Sequence, residues 1–334
     1  MDYKIRQDNL LPLDPADSLD LSRAEFAEWE RYCSVYYSQA ADGFHRLAGL
    51  SVLLPEGYAP FWLKQGDRLL GGVALSESGI RNLFTVPPFE AGPGLIKRIT
   101  QAMRQMGERE LPLQALDVPE GQEDAYIRAG FWPEPYRYRW MLRPTSAYTG
   151  LAEQNIICRP VEAALDSDEP RLKLEREIGL FLFKHVYGEP EKKFGIPAGV
   201  FSGIEHHEGD NPGAAACSFS AVLSNLRKYA GYSPKSALTA SCLLYDAATH
   251  ALIGVCLIET AEDRIPSIYV LAVHSSYRGQ GLGAKMLRYV LTLLEKTGES
   301  YLRVKVMHGH PLESLCYSCG FLPGPFFNPV MTLS

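Results

Sequence analysis

Two stretches of the chain, far apart in sequence, share one pattern that limits how the chain can fold. GFWPEPYRYRWMLRP begins at Gly130, and GFLPGPFFNPVMTLS begins at Gly320. Both contain Gly-Phe, two prolines and an aromatic residue at the same relative positions. Met141 and Met331 are as far apart in the chain as the two glycines are. Chance does not readily align so many residues without a gap. We therefore predict two copies of one domain, the second ending at the chain terminus.

The rest of each half shows the same order of predicted elements. In the first half these are a hairpin turning at residues 65–67, a strand from residue 81, a helix over 95–107, a strand over 112–118, a helix that carries AYIRAGF, and a last strand. In the second half they are a hairpin over 236–260, the strand SIYVLAV, a helix over 281–296, the strand YLRVKVM, a short helix and a last strand. Strands that alternate with helices predict an α/β fold with a mixed sheet and helices on its faces.

The domain boundary is expected in the polar stretch PTSAYTGLAEQ, residues 144–154. This divides the chain into residues 1–147 and residues 148–334. Residues 188–236 read as a long insertion before the second hairpin, and a loop of that length is typically a lid or disordered. Its His206-His207-Glu208 is expected to be a solvated loop tip, and an acidic tip near a site would suit a cationic amine.

Composition narrows the class of protein. The chain is 46% hydrophobic and 22% charged, with a net charge of −6, which argues against nucleic acid as a partner. We expect no membrane association, because no secretory signal and no apolar run of about 20 residues is present. The seven cysteines are odd in number and scattered, several in strand-like runs, which indicates a cytoplasmic protein without a disulfide framework. The sequence leaves a homodimer open.

The segment YRGQGLGAK, residues 277–285, is the strongest candidate for a ligand site. It joins a predicted strand to a predicted helix. A Walker-type loop would end in Gly-Lys-Ser/Thr, and Lys285 instead lies between Ala284 and Met286. A dinucleotide fingerprint would need an acidic residue at the end of the next strand, where YLRVKVMHGH has none. The readings that remain are a pyrophosphate-binding turn and a turn without a ligand.

AVHSSYRGQGLGAKML resembles the signature of the GNAT N-acyltransferase superfamily, in which Arg-x-x-Gly-x-Gly opens a helix after a strand. LESLCYSCGF is similar to the family's second motif, a helix beside the thiol end of the cofactor. The resemblance covers most of residues 155–334 and, more weakly, residues 58–143. It implies two tandem GNAT-like domains, the first of them degenerate.

The resemblance implies that acetyl-CoA, or another acyl-CoA, binds at the glycine turn. Backbone N–H groups at a helix N-terminus suit a pyrophosphate, and glycine lets the backbone approach it. The implied contacts run along the strand end, through the turn and to the next helix: Leu271, Ala272, Val273, Arg278, Gly279, Gln280, Gly281, Leu282, Gly283, Ala284 and His310. Leu271 to Val273 would also supply N–H groups that polarise the thioester carbonyl. His308 and His310 either hydrogen-bond the pantetheine arm or cap the helix.

The residue that protonates the departing thiolate is less clearly marked. In the family a tyrosine four residues before the glycine often has this role, and here Cys316 occupies that position with Tyr317 one residue later. Tyr317 is the preferred acid, packing alone being its alternative, and Cys316 is the second candidate. Many relatives carry a glutamate in the strand before the glycine turn, which serves as the base for the incoming amine. Here Tyr269 occupies that position, which leaves Glu259 and Glu262 as candidate bases that would act through a water.

This segment could alternatively bind a metal ion, since Cys316 and Cys319 have the CxxC spacing of metal ligands and His308 and His310 lie nearby. A lone CxxC is a weak signal, and the first copy carries AYIRAGF there without cysteine. We therefore expect no metal.

The first copy departs from the family pattern at its own glycine turn. Phe89-Glu-Ala-Gly92-Pro-Gly94 lacks the arginine, adds an acid, and loses one N–H donor at Pro93, although Tyr126 lies four residues before Gly130. We expect this copy to bind pyrophosphate poorly.

Together these residues predict an acetyl-CoA-dependent N-acetyltransferase that acts by direct attack of a primary amine on a small molecule or peptide. The alternative is a non-catalytic acyl-CoA-binding regulatory module.

Overall fold

A computed structural model describes residues 11–14, 19–39, 54–55, 57–106, 112–149, 155–161, 168–187, 218–260 and 265–333. The strands among these residues are β1 (Leu11–Asp14), β2 (Leu19–Arg23), β3 (Ala59–Gln65), β4 (Arg68–Leu75), β5 (Gly79–Thr85), β6 (Leu113–Pro119), β7 (Trp132–Pro133), β8 (Tyr138–Pro144), β9 (Ile156–Pro160), β10 (Cys242–Asp246), β11 (Leu252–Thr260), β12 (Pro266–Val273), β13 (Tyr301–Met307) and β14 (Leu322–Leu333).

The helices among the described residues are α1 (Phe26–Gln39), α2 (Pro93–Met106), α3 (Glu120–Ala129), α4 (Asp168–Leu182), α5 (Phe219–Tyr232), α6 (Lys235–Ala240), α7 (Leu282–Lys296) and α8 (Pro311–Ser318). A π-helical turn, Phe183–Tyr187, continues α4, and a 3₁₀ turn, Ser275–Tyr277, follows β12.

The chain divides into two compact units. Unit 1 comprises Met1–Arg139 with Gly324–Ser334, and unit 2 comprises Trp140–Pro323. The boundary therefore lies a few residues before the polar stretch that the sequence suggested, and the last residues of the chain belong to the first unit.

Unit 1 contains a mixed sheet in the order β1-β2-β3-β4-β5-β6-β14. The β3–β4 hairpin turns at Gln65–Arg68, as the sequence predicts, and only β5 and β6 run parallel in this series. Helix α2 packs on the sheet through a stripe at helical spacing, Leu95, Ile96, Ile99 and Met103, all buried.

Unit 2 contains the order β8-β13-β12-β11-β10-β9, and β12 runs parallel to β13. Helix α7 covers one face of this sheet through Leu282, Met286, Val290 and Leu294, which are spaced four residues apart. Helices α4 and α5 contribute to a separate apolar cluster that includes Val255 and Val270 of the strands. Apolar clusters on α7 and on α4 and α5 therefore sandwich the central strands of unit 2.

Two parts of unit 2 differ from the sequence prediction. The first residues of the predicted hairpin, SALTA, lie in helix α6, because Pro234 starts a helix and the Ser241 hydroxyl donates to the Ala237 carbonyl at its end. Residues 219–232 of the predicted insertion form helix α5, capped by the Ser218 hydroxyl, which accepts from the Ala221 N–H. His206, His207 and Glu208 lie outside the described residues.

The two repeated segments contribute to different units. Met331 of β14 is fully buried in the core of unit 1, where Val330 pairs with Leu116 of β6. Met141 of β8 is fully buried in the core of unit 2, where β8 neighbours β13. Each unit is thus completed by a strand from the repeat that the sequence would assign to the other half.

This exchange predicts which unit each methionine stabilises. Met331→Ala should destabilise unit 1 by about 2–5 kcal/mol, because truncation of a buried methionine loses its packing and leaves a cavity. Met141→Ala should destabilise unit 2 by a similar amount. Hydrogen exchange measures this separately, on residues 113–119 for unit 1 and 252–260 for unit 2.

Thr332→Ala, beside Met331 but only half-buried, is the matched control and should change neither region. Faster exchange in unit 2 alone after Met331→Ala would contradict the assignment.

Candidate functional site

Strands β12 and β13 meet at one point and then separate. Both strands are described along their whole length, and their pairing is confined to Ser267 opposite Arg303. At that point the Arg303 Nε donates to the Ser267 Oγ at 2.6 Å, and both residues are almost fully buried. The Arg303 guanidinium also lies 5.1 Å from the centre of the Trp140 ring. Beyond this junction a gap opens along β12, here called the strand gap.

The other edge of β12 remains paired with β11 as far as Val273. The register shifts between Val270 and Ile268, so that Tyr269 forms a bulge. The His274 N–H donates to the Ile253 carbonyl at 2.9 Å. Because backbone groups of a strand alternate in direction, those of Ala272 also point to β11, whereas those of Leu271 and Val273 point into the strand gap.

The glycine turn follows the same end of β12. Gly279 and Gly281 both have φ of +78°, a left-handed conformation that favours glycine. A Cβ built at either position meets no atom within 4 Å, so the surface above the turn is open. The Lys285 N–H donates to the Gly281 carbonyl at 3.1 Å as the first bond of α7, which leaves the N–H groups of Leu282, Gly283 and Ala284 without an intrahelical acceptor.

Gly283 differs from the other two glycines. A Cβ at this position would lie 2.9 Å from the Leu315 Cδ2 and 3.9 Å from the Leu271 Cδ2. The absent side chain here admits α8 against α7, so its role in the fold is close packing of the two helices.

Arg278 is held by two backbone carbonyls. Its Nε donates to the Val273 carbonyl at 3.2 Å, and its Nη2 donates to the His185 carbonyl at 2.7 Å. His185 lies in the π-helical turn, far from Arg278 in sequence. The guanidinium of an exposed side chain is thereby fixed beside the end of the strand gap.

The connection between β12 and the glycine turn has its own contacts. The His274 Nδ1 accepts from the Ser276 N–H at 3.2 Å and caps the 3₁₀ turn. The Tyr277 hydroxyl donates to the Asp246 Oδ2 at 3.2 Å. Hydrogen bonds from Thr249 hold the pKa of Asp246 below its usual range, so this carboxylate is charged at neutral pH and remains an acceptor.

Helix α8 presents the two thiolate-protonating candidates on different faces. The Cys316 side chain is fully buried in the core of unit 2, and burial raises the pKa of its thiol. The Tyr317 side chain is 46% exposed. A buried thiol with a raised pKa is a poor nucleophile, whereas an exposed phenol can meet a ligand.

The start of α8 assigns different contacts to the two histidines. The His310 Nδ1 accepts from the Leu312 N–H at 3.1 Å and caps the helix. The His308 Nδ1 lies 3.3 Å from the Glu313 Oε2, which also accepts from the Gly309 N–H at 2.8 Å. Helix capping is therefore the observed role of His310.

Tyr269, which replaces the family's base, is buried on the face opposite α7. Its ring stacks on that of Tyr229, with 4.7 Å between centres. Burial raises the pKa of both phenols, and the charge of Glu259 raises them further. Glu259 lies opposite Ser267 and is half-buried, so its carboxylate is near the bulge at the closed end of the strand gap. Glu262 lies outside the described residues.

Unit 1 has a related turn with a different surface. The Gly92 N–H donates to the Glu90 carbonyl at 3.0 Å, so this donor is already used within the turn. Pro93, the first residue of α2, has no N–H, and Phe89 packs against the apolar core. Tyr126 is buried against Phe131, and burial raises its pKa.

The gap between β5 and β6 in unit 1 is bridged by polar side chains. The strands pair as far as Arg81 opposite Leu116, and the Arg81 Nη2 then bonds the Asp117 Oδ2 at 2.6 Å. The Gln122 Nε2 donates to the Leu83 carbonyl at 3.1 Å. The Val86 N–H donates to the Leu70 carbonyl, as the His274 N–H does to the Ile253 carbonyl, so Val86 and His274 are equivalent. Leu83 and Leu271, each three residues earlier, therefore also correspond. The backbone carbonyl of Leu83 therefore already accepts a hydrogen bond from Gln122, whereas the backbone of Leu271 in unit 2 faces an open gap.

Unit 2 thus combines parallel strands that separate with a glycine turn at the end of one of them. Residues 218–321, less than half of the chain, match the family model described as Acetyltransferase (GNAT) family. Unit 2 therefore contains a GNAT-family domain. No curated protein matches the chain in sequence.

Solved structures extend the likeness to nearly the whole chain. A GCN5-related N-acetyltransferase from Sphaerobacter thermophilus has a TM-score of 0.58 at 12% identity, with 95% of each chain covered. A tandem GNAT protein from the clavulanic acid biosynthesis pathway has a TM-score of 0.50 at 12% identity, with 94% of this chain and 98% of that chain covered. At such identities the likeness concerns the fold, which is that of two tandem GNAT-like domains.

A third structure is the GCN5-related glucosamine N-acetyltransferase region of a fungal multi-domain GH3 β-N-acetylglucosaminidase. Its TM-score is 0.54 at 9% identity, and the match covers 95% of this chain but only 38% of that larger one.

Among the residues that the structure describes, no helix has both the length and the apolar character needed to span a bilayer. Within the same part of the chain, no group of three or more His, Cys, Asp or Glu side chains is arranged to hold a metal ion.

The sequence analysis did not predict three features of the site: the Ser267–Arg303 junction, the contact of the His185 carbonyl with Arg278, and the contact of Asp246 with Tyr277. Arg303 carried one usable signal, since it and Lys305 are the charged residues in an otherwise apolar strand pattern, YLRVKVM. His185 and Asp246 lie in segments whose proximity to the turn depends on tertiary packing.

Ser267→Ala tests the junction. Removal of the hydroxyl leaves the buried Arg303 Nε without this acceptor, so the free energy of unfolding of unit 2 should fall by about 1–3 kcal/mol. Denaturant unfolding combined with hydrogen exchange over β12 and β13 measures the loss.

Ser318→Ala is the control, since its exposed hydroxyl donates to the Leu315 carbonyl at the end of α8. This variant should remain within about 0.5 kcal/mol of the wild type. Equal losses in both variants would show that the junction is not a special contact.

Proposed function

We propose that the protein is an acetyl-CoA-dependent N-acetyltransferase whose working site lies in unit 2. The observation that carries the proposal is the coincidence, at one end of β12, of an open strand gap and an open glycine turn. The GNAT-family match over residues 218–321 supports acyl transfer as the general class of reaction. The residues at this position also suit the parts of coenzyme A, as follows.

The glycine turn suits the pyrophosphate. The space above Gly279 and Gly281 is the space that a Cβ would occupy, and the first-turn N–H groups of Leu282 to Ala284 are donors at the positive end of the α7 dipole. Arg278, fixed beside this turn, adds a full positive charge. The strand gap would take the pantetheine arm, whose amides can pair with the backbone of Leu271 and Val273.

The bound acyl-CoA would supply an activated thioester. In the proposed reaction one of these two N–H groups, that of Leu271 or that of Val273, hydrogen-bonds the carbonyl oxygen and stabilises the negative charge that develops there, and the other remains for the pantetheine arm. The amine nitrogen forms a bond to the carbonyl carbon, and the carbon–sulfur bond breaks. Tyr317 donates its phenolic proton to the departing sulfur, and solvent returns the proton.

The acceptor is a primary amine on a small molecule or peptide, which must lose a proton to react. Glu259, charged and close to the bulge at Tyr269, is the proposed base and acts through a water molecule. Tyr269 itself is a poor base, because burial stabilises its neutral form.

Unit 1 is proposed to be degenerate as a cofactor site. Arg81 with Asp117, and Gln122 with Leu83, bridge the gap that coenzyme A would need. The turn before α2 lacks a charge equivalent to Arg278 and directs the Gly92 N–H to Glu90. This unit would then serve the fold.

Gly281→Val tests the cofactor site in the intact chain. The branched side chain would fill the open space above the turn and strain the positive φ, so affinity for coenzyme A should fall by at least about tenfold, measured by calorimetry. Gly92→Val, the equivalent change in unit 1, is the matched control and should leave affinity unchanged.

If both variants bound coenzyme A as the wild type does, the cofactor would lie elsewhere. If Gly92→Val alone lost binding, unit 1 would be the cofactor domain.

Tyr317→Phe tests the acid. This change keeps the ring and removes the proton donor, so turnover should fall by about 10²–10⁴-fold while affinity for acetyl-CoA is retained. Cys316→Ala should lower stability without a comparable loss of turnover, because Cys316 is a core residue. Thiol release from acetyl-CoA with a panel of amines provides the rate.

Loss of activity in Cys316→Ala with normal activity in Tyr317→Phe would reverse the assignment. Binding of acetyl-CoA by the wild type without thiol release for any amine would instead favour a non-catalytic acyl-CoA-binding module.

A further inference from the structure

The π-helical turn Phe183–Tyr187 lies against the start of the cofactor turn, although it precedes the family match at residues 218–321. π-Helical turns are rare and occur frequently at functional sites. This one presents a carbonyl, that of His185, to the Nη2 of Arg278 at 2.7 Å. Arg278 is the charged side chain of the proposed pyrophosphate site.

The His185 ring connects the turn to the same place. Its centre lies 4.1 Å from that of the His274 ring and 5.0 Å from that of the Phe181 ring. His274 in turn caps the 3₁₀ turn Ser275–Tyr277, which leads directly into Arg278. His185 therefore contacts the cofactor turn twice, through its ring on His274 and through its carbonyl on Arg278.

We propose that His185 is a positioning residue for coenzyme A binding: its ring, packed on His274, holds the π-helical turn so that its carbonyl fixes the Arg278 guanidinium at the glycine turn. This inference rests on the proposed function of unit 2. It assigns to a residue outside the family-matched region a part in cofactor affinity, although His185 need not touch the cofactor.

The physical reason is preorganisation. An exposed arginine loses rotamer freedom when it binds a phosphate, at a cost of about 0.5–1.5 kcal/mol for a side chain of this kind. Bonds to the carbonyls of Val273 and His185 restrict Arg278 before the ligand arrives. Loss of the His185 carbonyl would transfer that cost to the binding step, which corresponds to an affinity about two- to tenfold lower.

The test uses the full chain with His185→Ala and His185→Phe. Alanine removes the ring contact with His274, whereas phenylalanine keeps an aromatic ring at the same place. We expect His185→Ala to weaken coenzyme A binding by about two- to tenfold in calorimetry, and His185→Phe to bind like the wild type. If turnover is measurable, the KM for acetyl-CoA should rise in His185→Ala while kcat is retained.

A double-variant cycle shows whether the effect passes through Arg278. In an Arg278→Ala background, His185→Ala should have no further effect on coenzyme A affinity, because the side chain that it positions is gone. An affinity loss that persists undiminished in that background overturns the proposal.

A second measurement does not depend on the cofactor. Hydrogen exchange of residues 274–283 in the protein without ligand should be faster in His185→Ala than in the wild type or in His185→Phe, while residues 242–260 are unchanged. Equal exchange in all three proteins overturns the positioning role. If the wild type fails to bind coenzyme A, the proposed function falls, and this exchange comparison still decides whether His185 holds the turn.

Discussion

The junction of Ser267 with Arg303 is the contact on which the geometry of unit 2 depends. Parallel strands normally pair along their length, but β12 and β13 pair at this position alone. A buried side-chain hydrogen bond of 2.6 Å reinforces the junction, and the Trp140 ring packs on the guanidinium. Beyond it, β12 keeps one edge on β11 and turns the backbone of Leu271 and Val273 to the open side. A strand edge without a partner strand, inside a domain, is a natural place for an extended ligand with amides.

The two units show that the same architecture can have an open gap between its parallel strands or have that gap bridged by side chains. In each, parallel strands separate after a paired start, and a bulge in the first strand follows the last paired residue. In unit 1 the ion pair of Arg81 with Asp117 and the bond from Gln122 to Leu83 span the gap. In unit 2 the residue that corresponds to Gln122 is Leu312, which is buried in the core and has no polar group to reach the strand. A few side chains, and not the topology, thus distinguish an open gap from a bridged one.

The positions of Met141 and Met331 explain why the sequence reveals the repeat more readily than it reveals the domain boundaries. Each segment is the last strand of its repeat, but each supplies a buried methionine to the core of the other unit. Neither core is complete without a segment that is distant along the chain. The pattern Gly-Phe-x-Pro-x-Pro therefore marks where a helix ends and the last strands of the repeat begin, and it does not mark a domain end.

The sequence by itself determined the repeat, the alternation of strands and helices and the glycine turn, because these depend on local periodicity and on residues with special backbone freedom. The fold of two GNAT-like domains followed from the resemblance of two motifs to that family. The sequence also located helix α7 to within a residue. It did not foresee that SALTA forms a helix or that Gly283 serves helix packing, and it left open whether His310 caps α8 or contacts the cofactor. Only the tertiary structure decided the register at which β12 and β13 part, the burial of Cys316 against the exposure of Tyr317, and the contacts of Arg278 with His185. Those features depend on side chains brought together from distant parts of the chain, and no local pattern encodes the distance between them.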